Sequence, residues 1–512
     1  MKHHKPISIL VPNVESLGYA LFLAINAAGV WGGVFPFLPI EFQTHTIILG
    51  FFVTQSLVFS ASYVASCIGS YFFPGPTRRF LARLVSGIYF VGWCFLIAAI
   101  YIDEAALPLV CVGGAMLGLG SAGFYMLWQR LFASQDADSG NRDLLVGSAW
   151  GSVFYFALYL IPQAVTAYLI PLVFLPLFGL CVMLRSRAIS FDQPMFSDVP
   201  REHPNVYRQV LGDHWRSALC IAAVGFCAGV MRSIAVAEPA IGINVNVLSM
   251  AGMLVAALVV IWLWTFKNVR LSITDTYRVV FPFLITSLLL LPLLGDEYTR
   301  VLASVLYAVY AAYIMLMMMQ CAQISRDRGI NPVFIYGFFG AIVYTLHSVG
   351  FLGGTFAEDV RILGMDPLAL VALVSVWTLG LMHFMGSGGF TSALSREDSP
   401  EAIELVALRP HAPLPQGSAG ASADGRDAAA PRTDAGEAVD RIALQAARIQ
   451  EHFRLSAREA EVMELMARGN SVARIAEMLV VSENTVRTHS KRIYVKLDIH
   501  KRQELVDLIE EF

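Results

Sequence analysis

Windows of about 20 apolar residues, long enough to cross a hydrocarbon core as a helix, recur along the first three quarters of the chain. They fall at 16–39, 47–72, 80–102, 106–131, 144–161, 164–184, 216–238, 245–266, 279–294, 300–322, 332–355 and 367–386. The pattern predicts an all-α fold whose first part, 1–386, is a polytopic transmembrane helix bundle of about 12 spans. The longest internal loop, 185–215, divides the spans into two six-helix halves. From 387 to 440 the rhythm disappears into Ala, Gly, Pro and Ser with scattered charges. Such a stretch cannot bury enough apolar surface to order itself, so it reads as a flexible linker. A coil of ~50 residues spans roughly 40 Å.

Beyond residue 441 the apolar positions return with helical spacing and a polar opposite face. Ser456-x-x-Glu459 has the spacing of a capping box, in which each side chain satisfies a free backbone amide at a helix start. Val462, Met463, Leu465 and Met466 supply the buried side of that helix, and Gly469 suits its stop. A short helix follows from about Val472 to Leu479, burying Ile475, Ala476 and Leu479, and Ser482 is placed to cap a third at about 483–497. In that third helix Val486, Ser490, Ile493 and Leu497 are separated by four, three and four residues and share one face. Turning by 100° per residue puts Thr488, Lys491 and Val495 opposite them, with Asn484 and Arg492 beside and Arg487 on the flank. Long donors on the free side of a helix reach guanine edges and phosphate oxygens. Arg487, Lys491, Arg492 and Lys496 occur with no acid between Asn484 and Leu497, so the local charge favours nucleic acid although the domain as a whole is near neutral.

The string from Leu455 to Leu505 resembles the LuxR/NarL/FixJ family. It carries Leu455-Ser456-x-Arg458-Glu459-x-Glu461-Val462, Gly469, Ile475-Ala476-x-x-Leu479, Ser482-x-x-Thr485-Val486-Arg487-x-His489 and Ile493-Tyr494-x-Lys496-Leu497 in register. The resemblance implies a C-terminal four-helix helix-turn-helix domain over 441–512 whose third helix enters the major groove of double-stranded DNA. By position in the motif, Arg487, Thr488 and Lys491 face bases, while Thr485 and Lys496 steady phosphates. A fourth helix at about 501–511, with Leu505, Leu508 and Ile509, is the segment through which such domains pair as dimers; Lys501 stands where the family usually has Asn or Ser.

Composition strengthens the membrane reading. The chain is 56% hydrophobic and 15% charged, too apolar for a soluble protein of 512 residues. Its Lys and Arg fix an orientation: with the N-terminus inside, seventeen lie in inner segments and two, Arg300 and Arg361, in outer loops. Both termini are therefore expected in the cytoplasm, with the spans in a bacterial inner membrane. The seven cysteines lie in apolar segments without a CxxC pair, so neither a disulfide framework nor a metal site is expected. No cofactor is expected, and no nucleophile–base pair or phosphate loop points to an enzyme.

The two six-helix halves over about 14–386 resemble the major facilitator superfamily of transporters. The superfamily's acidic and basic loop motif between spans two and three is not reproduced, since Gly69 leads through Phe73 into Pro74-Gly75-Pro76-Thr77-Arg78-Arg79. Polar residues within spans are costly unless they meet a cavity or a partner. Asn26, Gln55, Arg232, Glu238 and His347 are the candidates for binding a small-molecule ligand, with His383 a further polar position. No receiver-like βα pattern with a phosphorylatable Asp precedes the helix-turn-helix, so control is expected through the membrane part. Two readings stay open: a membrane-tethered one-component sensor that regulates transcription, and a secondary transporter with a DNA-binding regulatory tail.

Overall fold

The computed structural model describes residues 10–30, 44–186, 195, 198–202, 204–237, 239–266, 269–357, 367–386, 403–405, 441–481, 483–499 and 501–511. It divides into two compact units, Met1–Trp262 with Arg270–Ile403, and Leu263–Val269 with Glu404–Phe512. Apart from two three-residue strands, Val269–Leu271 and Ile403–Leu405, the described elements are helical.

The first unit runs α1 Val14–Gly29, α2 His45–Phe72, α3 Pro74–Arg83, α4 Val85–Tyr101, α5 Ala106–Ser134, α6 Ala137–Tyr159, α7 Gln163–Leu169 and α8 Leu175–Ser186. It continues with α9 Pro204–Ala237, α10 Pro239–Phe266, α11 Ile273–Leu290, α12 Gly295–Arg328, α13 Pro332–Ala357 and α14 Pro367–Gly386. Polar caps start the apolar runs: Asn13 and Ser16 form a capping box for α1, Asp136 accepts from the Ser139 amide at α6, and Ser272 from the Asp275 amide at α11. Gly329, at φ +67°, closes α12 in a conformation that costs a glycine little.

Helix occupies most of the described residues of each of the twelve apolar windows. Among the described residues, seven helices are long and apolar enough to cross a membrane, and the bent pair Pro74–Leu81 and Val85–Tyr101 makes an eighth. Val14–Gly29, Ile170–Leu184 and Ala372–Phe384 are shorter apolar helices. The difference from twelve has local causes. The first window ends beyond the described residues, α6 opens on the polar Asp138, Ser139, Asn141, Arg142 and Asp143, and the sixth window is broken by a π turn at Ile170–Phe174. Pro171 in that turn has no amide hydrogen to continue the α ladder.

Small residues set the helix spacing. A Cβ on Gly118 of α5 would lie 2.6 Å from the Gln55 carbonyl oxygen of α2, so only glycine allows these two helices to approach as they do.

The second unit holds α15 Arg441–Phe453, α16 Ala457–Ala467, α17 Val472–Leu479, α18 Glu483–Leu497 and α19 Arg502–Glu511. Its core is drawn from all five: Ile449, Leu455, Val462, Met463, Ile475, Val486, Ile493 and Leu505 are fully buried. α15 lies within the expected 441–512 domain, ahead of the first helix start read at Ser456.

Candidate functional site

In the second unit the expected capping box at Ser456 and Glu459 is formed, and Gly469 ends α16 at φ +89°. Two arginines close further helix ends. Arg458 donates to the Leu479 carbonyl at the end of α17, and Arg502 donates to the carbonyls of Met466 and Asn470 after α16. The Arg458 bond meets a carbonyl at the end of α17, while the Arg502 bond adds to the Gly469 amide that the Met466 carbonyl already accepts.

The core thus presents α18 with one side locked and the other free. Val486 and Ile493 are fully buried, Leu497 nearly so, and Ser490 donates to the Val486 carbonyl. On the far side Lys491 is exposed, Thr488 and Arg492 are half-buried, and Val495 is 75% exposed. Arg487 projects outward while bonded to Glu483 at 2.9 Å, an exposed i,i+4 pair that costs little to open. The face that turning at 100° per residue assigns to Thr488, Lys491 and Val495 is therefore the outer face.

Two residues expected at phosphates are engaged within the domain itself. The Lys496 ammonium is 2.7 Å from a Glu459 carboxylate oxygen and donates to the Arg454 carbonyl, so it ties α18 to α16. Thr485 is 3% exposed and belongs to the packed side of the helix. The Asn484 side chain and Ser482 lie outside the described residues. Beside this face, burial pushes the Tyr494 hydroxyl up from its ordinary value, with the Arg502 charge opposing.

In the first unit a cavity of about 120 Å³ opens between α2, α5, α9, α10, α12 and α13. It brings together three of the five ligand candidates: Gln55 from α2, Arg232 from α9 and His347 from α13. Arg232 is 9% exposed; its guanidinium carbon stands 4.5 Å over the Phe52 ring centroid and 5.9 Å from that of Phe351, while its Nη2 has no hydrogen-bond partner. His347 shares a 3.2 Å hydrogen bond with the Tyr307 hydroxyl, and its ring lies parallel to Tyr310 at 5.4 Å.

Asn26 is not in the cavity. Its amide donates to the Phe22 carbonyl and its oxygen accepts from Ser121, so this polar group joins α1 to α5. Glu238 lies outside the described residues. His383 stacks on Phe281, 4.0 Å between centroids, away from the cavity. The sequence reading missed Phe52, Asn246, Tyr307, Tyr310 and Ser348, which also line it. Their helices are apolar all round, and no change of polarity marks which side turns inward. Among the described residues no group of three or more His, Cys, Asp and Glu side chains is placed to hold a metal ion.

Residues 454–509 match the family described as bacterial regulatory proteins, luxR family. Over 164 residues the chain is 33% identical to a probable transcriptional regulatory protein NarL of Mycobacterium tuberculosis, covering 29% of this chain and 68% of that protein. It is 42% identical over 52 residues to an uncharacterized response regulatory protein, YgeK, of Escherichia coli, covering 10% of this chain and 35% of that one. Among solved structures the chain is similar to the Major Facilitator Superfamily transporter FucP in its outward conformation, with a TM-score of 0.47 and 12% identity, covering 73% of this chain and 97% of that chain.

Proposed function

We propose, from the premise that the chain belongs to the luxR family of bacterial regulatory proteins, that it is a one-component transcription regulator tethered to the inner membrane. Residues 441–512 bind promoter DNA as a dimer through the outer face of α18, residues 387–440 act as the linker, and residues 1–386 sense a small molecule. Both termini lie in the cytoplasm in this reading, as the seventeen-to-two distribution of Lys and Arg requires.

The observation that carries the proposal is the orientation of α18. Its aliphatic side is locked into a closed core, and it offers Lys491, Thr488, Arg492 and Arg487 on the opposite side. A helix held in this way can enter a major groove without disturbing its own packing. Thr485 and Lys496 contribute by fixing the helix rather than by reaching phosphates.

Genome-wide mapping of the full-length chain on DNA tests the reading, paired with reporter fusions after residue 512. Discrete promoter peaks that vanish with Lys491→Ala, and a cytoplasmic reporter signal, are expected. A reporter signal from outside the cell would overturn it.

The buried cavity favours a second reading, a secondary transporter whose tail regulates transcription. Saturable uptake into proteoliposomes, abolished by Arg232→Ala, would establish that alternative; a change in promoter occupancy without flux supports the sensor.

A further inference from the structure

We propose that the cavity between α2, α9, α10, α12 and α13 binds a small monoanion, a carboxylate carried on a compact aromatic or branched apolar frame. The inference deepens the sensor reading and rests on it for the consequence at DNA, but the site stands on its own geometry.

Arg232 is charged at any physiological pH, and burying a guanidinium within a membrane domain is costly unless a counter-charge meets it. Among the described residues no Asp or Glu lines this cavity and no ion pair to Arg232 occurs. The guanidinium carbon stands 4.5 Å from the Phe52 ring centroid, a cation–π contact. Its buried Nη2 has no hydrogen-bond acceptor among the described residues. The Tyr307 hydroxyl, which shares a 3.2 Å hydrogen bond with His347, also meets Arg232, and the Ser348 hydroxyl is paired with Ser60 at 2.6 Å; both are neutral, and neither supplies a counter-charge. A planar fork of donors that lines a cavity, with one nitrogen unsatisfied and no described counter-charge, matches a carboxylate.

Charge and size narrow the ligand further. One cation balances one negative charge; a dianion such as phosphate would leave an uncompensated charge against Phe52, Met250, Met253 and Ile314. The volume of about 120 Å³ is close to the ~150 Å³ in which benzene fits a protein cavity. A single ring or a branched chain of about that size fills it.

The frame that holds Arg232 is stiff. α9 and α13 approach so closely that a Cβ on Gly229 would overlap the His347 carbonyl and one on Gly350 the Phe226 carbonyl. The spacing of Arg232 from the α13 wall is thereby set before any ligand arrives, which lowers the ordering cost of binding.

Isothermal calorimetry on the full-length protein in nanodiscs tests the site, with benzoate and 3-methylbutanoate as probes, benzyl alcohol as the neutral isostere and inorganic phosphate, in buffer alkaline enough to keep it the dianion, as the doubly charged competitor. At least one carboxylate is expected to bind saturably and at least tenfold more tightly than benzyl alcohol and phosphate. Arg232→Lys is expected to weaken that binding tenfold or more. Equal binding of acid and alcohol, tighter binding of phosphate, or no binding of either carboxylate overturns the proposal. The acid–alcohol comparison uses the unaltered protein, so a variant that fails to fold leaves the test intact. Promoter occupancy measured in parallel separates the two claims: carboxylate binding with indifferent occupancy keeps the site and removes its signalling role, while responsive occupancy without carboxylate binding removes the site and keeps the regulator.

Discussion

The Lys496 ammonium lies 2.7 Å from a carboxylate oxygen of Glu459, and that carboxylate is 6% exposed. The same oxygen accepts the Ser456 backbone amide in the capping box. One buried charge therefore closes the start of α16 and holds the end of α18 to it. This ties a cation of α18 to the carboxylate that caps α16.

Replacing Lys496 with Met is expected to cost about 2–3 kcal/mol, because it strands the Glu459 charge in a nearly dry site. The cost falls short of a fully buried pair because the Lys496 side chain is 29% exposed. Urea unfolding of residues 441–512, which contain a complete core of their own, measures it. On the folded fraction, the slope of log affinity against log salt for DNA should match the unaltered domain. A true phosphate contact would lower that slope by about 0.9, which would return Lys496 to the interface.

Lys491 has the opposite profile. It is exposed and sits on the outer face of α18. Lys491→Ala should weaken specific DNA binding by about 1–3 kcal/mol while moving stability by less than about 0.5 kcal/mol. Electrophoretic shift at fixed salt together with thermal melting separates the two effects, and unchanged affinity would remove Lys491 from the groove.

Periodicity made the C-terminal unit legible and left its charges partly hidden. The steps of four, three and four among Val486, Ser490, Ile493 and Leu497 gave α18 within a residue, and Gly469 marked a left-handed stop as expected. Lys496 and Thr485 were harder, since each borders the packed face and the path of one side chain decides its role. α15 went unread because it follows a structureless composition directly. Yet Ile442, Ala446, Ile449 and Phe453 repeat the same four-three-four steps, and Ala446 and Ile449 are buried.

In the membrane unit the polar signal found three residues of the cavity. Gln55, Arg232 and His347 stood out because polar groups in apolar helices need partners. Asn26 gave the same signal and satisfies it with Ser121. Sequence shows that a partner is needed, and only the fold decides whether the partner is another helix or a ligand.

Glycines on α9 and α13 offer a paired test. Gly229→Ala or Gly350→Ala should destabilise the protein by about 1–3 kcal/mol through overpacking, since each new Cβ meets a backbone carbonyl that cannot rotate away. Gly353→Ala on the same α13 meets nothing within 4 Å and is expected to be neutral or stabilising by about 0.5 kcal/mol. Thermal unfolding in nanodiscs reads the contrast, and similar melting of all three variants would mean that the close approach is not obligatory.

Arg326 joins three helices at one point. It is 4% exposed, its Nη1 donates to the Phe132 carbonyl of α5 at 2.9 Å and its Nη2 to the Asn141 side-chain oxygen of α6 at 3.2 Å. Gly140 makes room for it, since a Cβ there would stand 3.1 Å from Nη1 and 2.5 Å from the Phe132 oxygen. Losing the guanidinium leaves two buried acceptors without these donors, so Arg326→Met should cost about 2–4 kcal/mol. Lys restores the charge but not the fork, so Arg326→Lys should fall between Met and the unaltered protein. Arg278→Ala removes a more exposed cation paired with Asp275 on its own helix and should change stability by less than about 0.5 kcal/mol. Melting temperatures in the order unaltered, Arg278→Ala, Arg326→Lys, Arg326→Met would identify the buried fork as the anchor of α12. If Arg326→Met melted with Arg278→Ala, its bonds to Phe132 and Asn141 would be incidental to that packing.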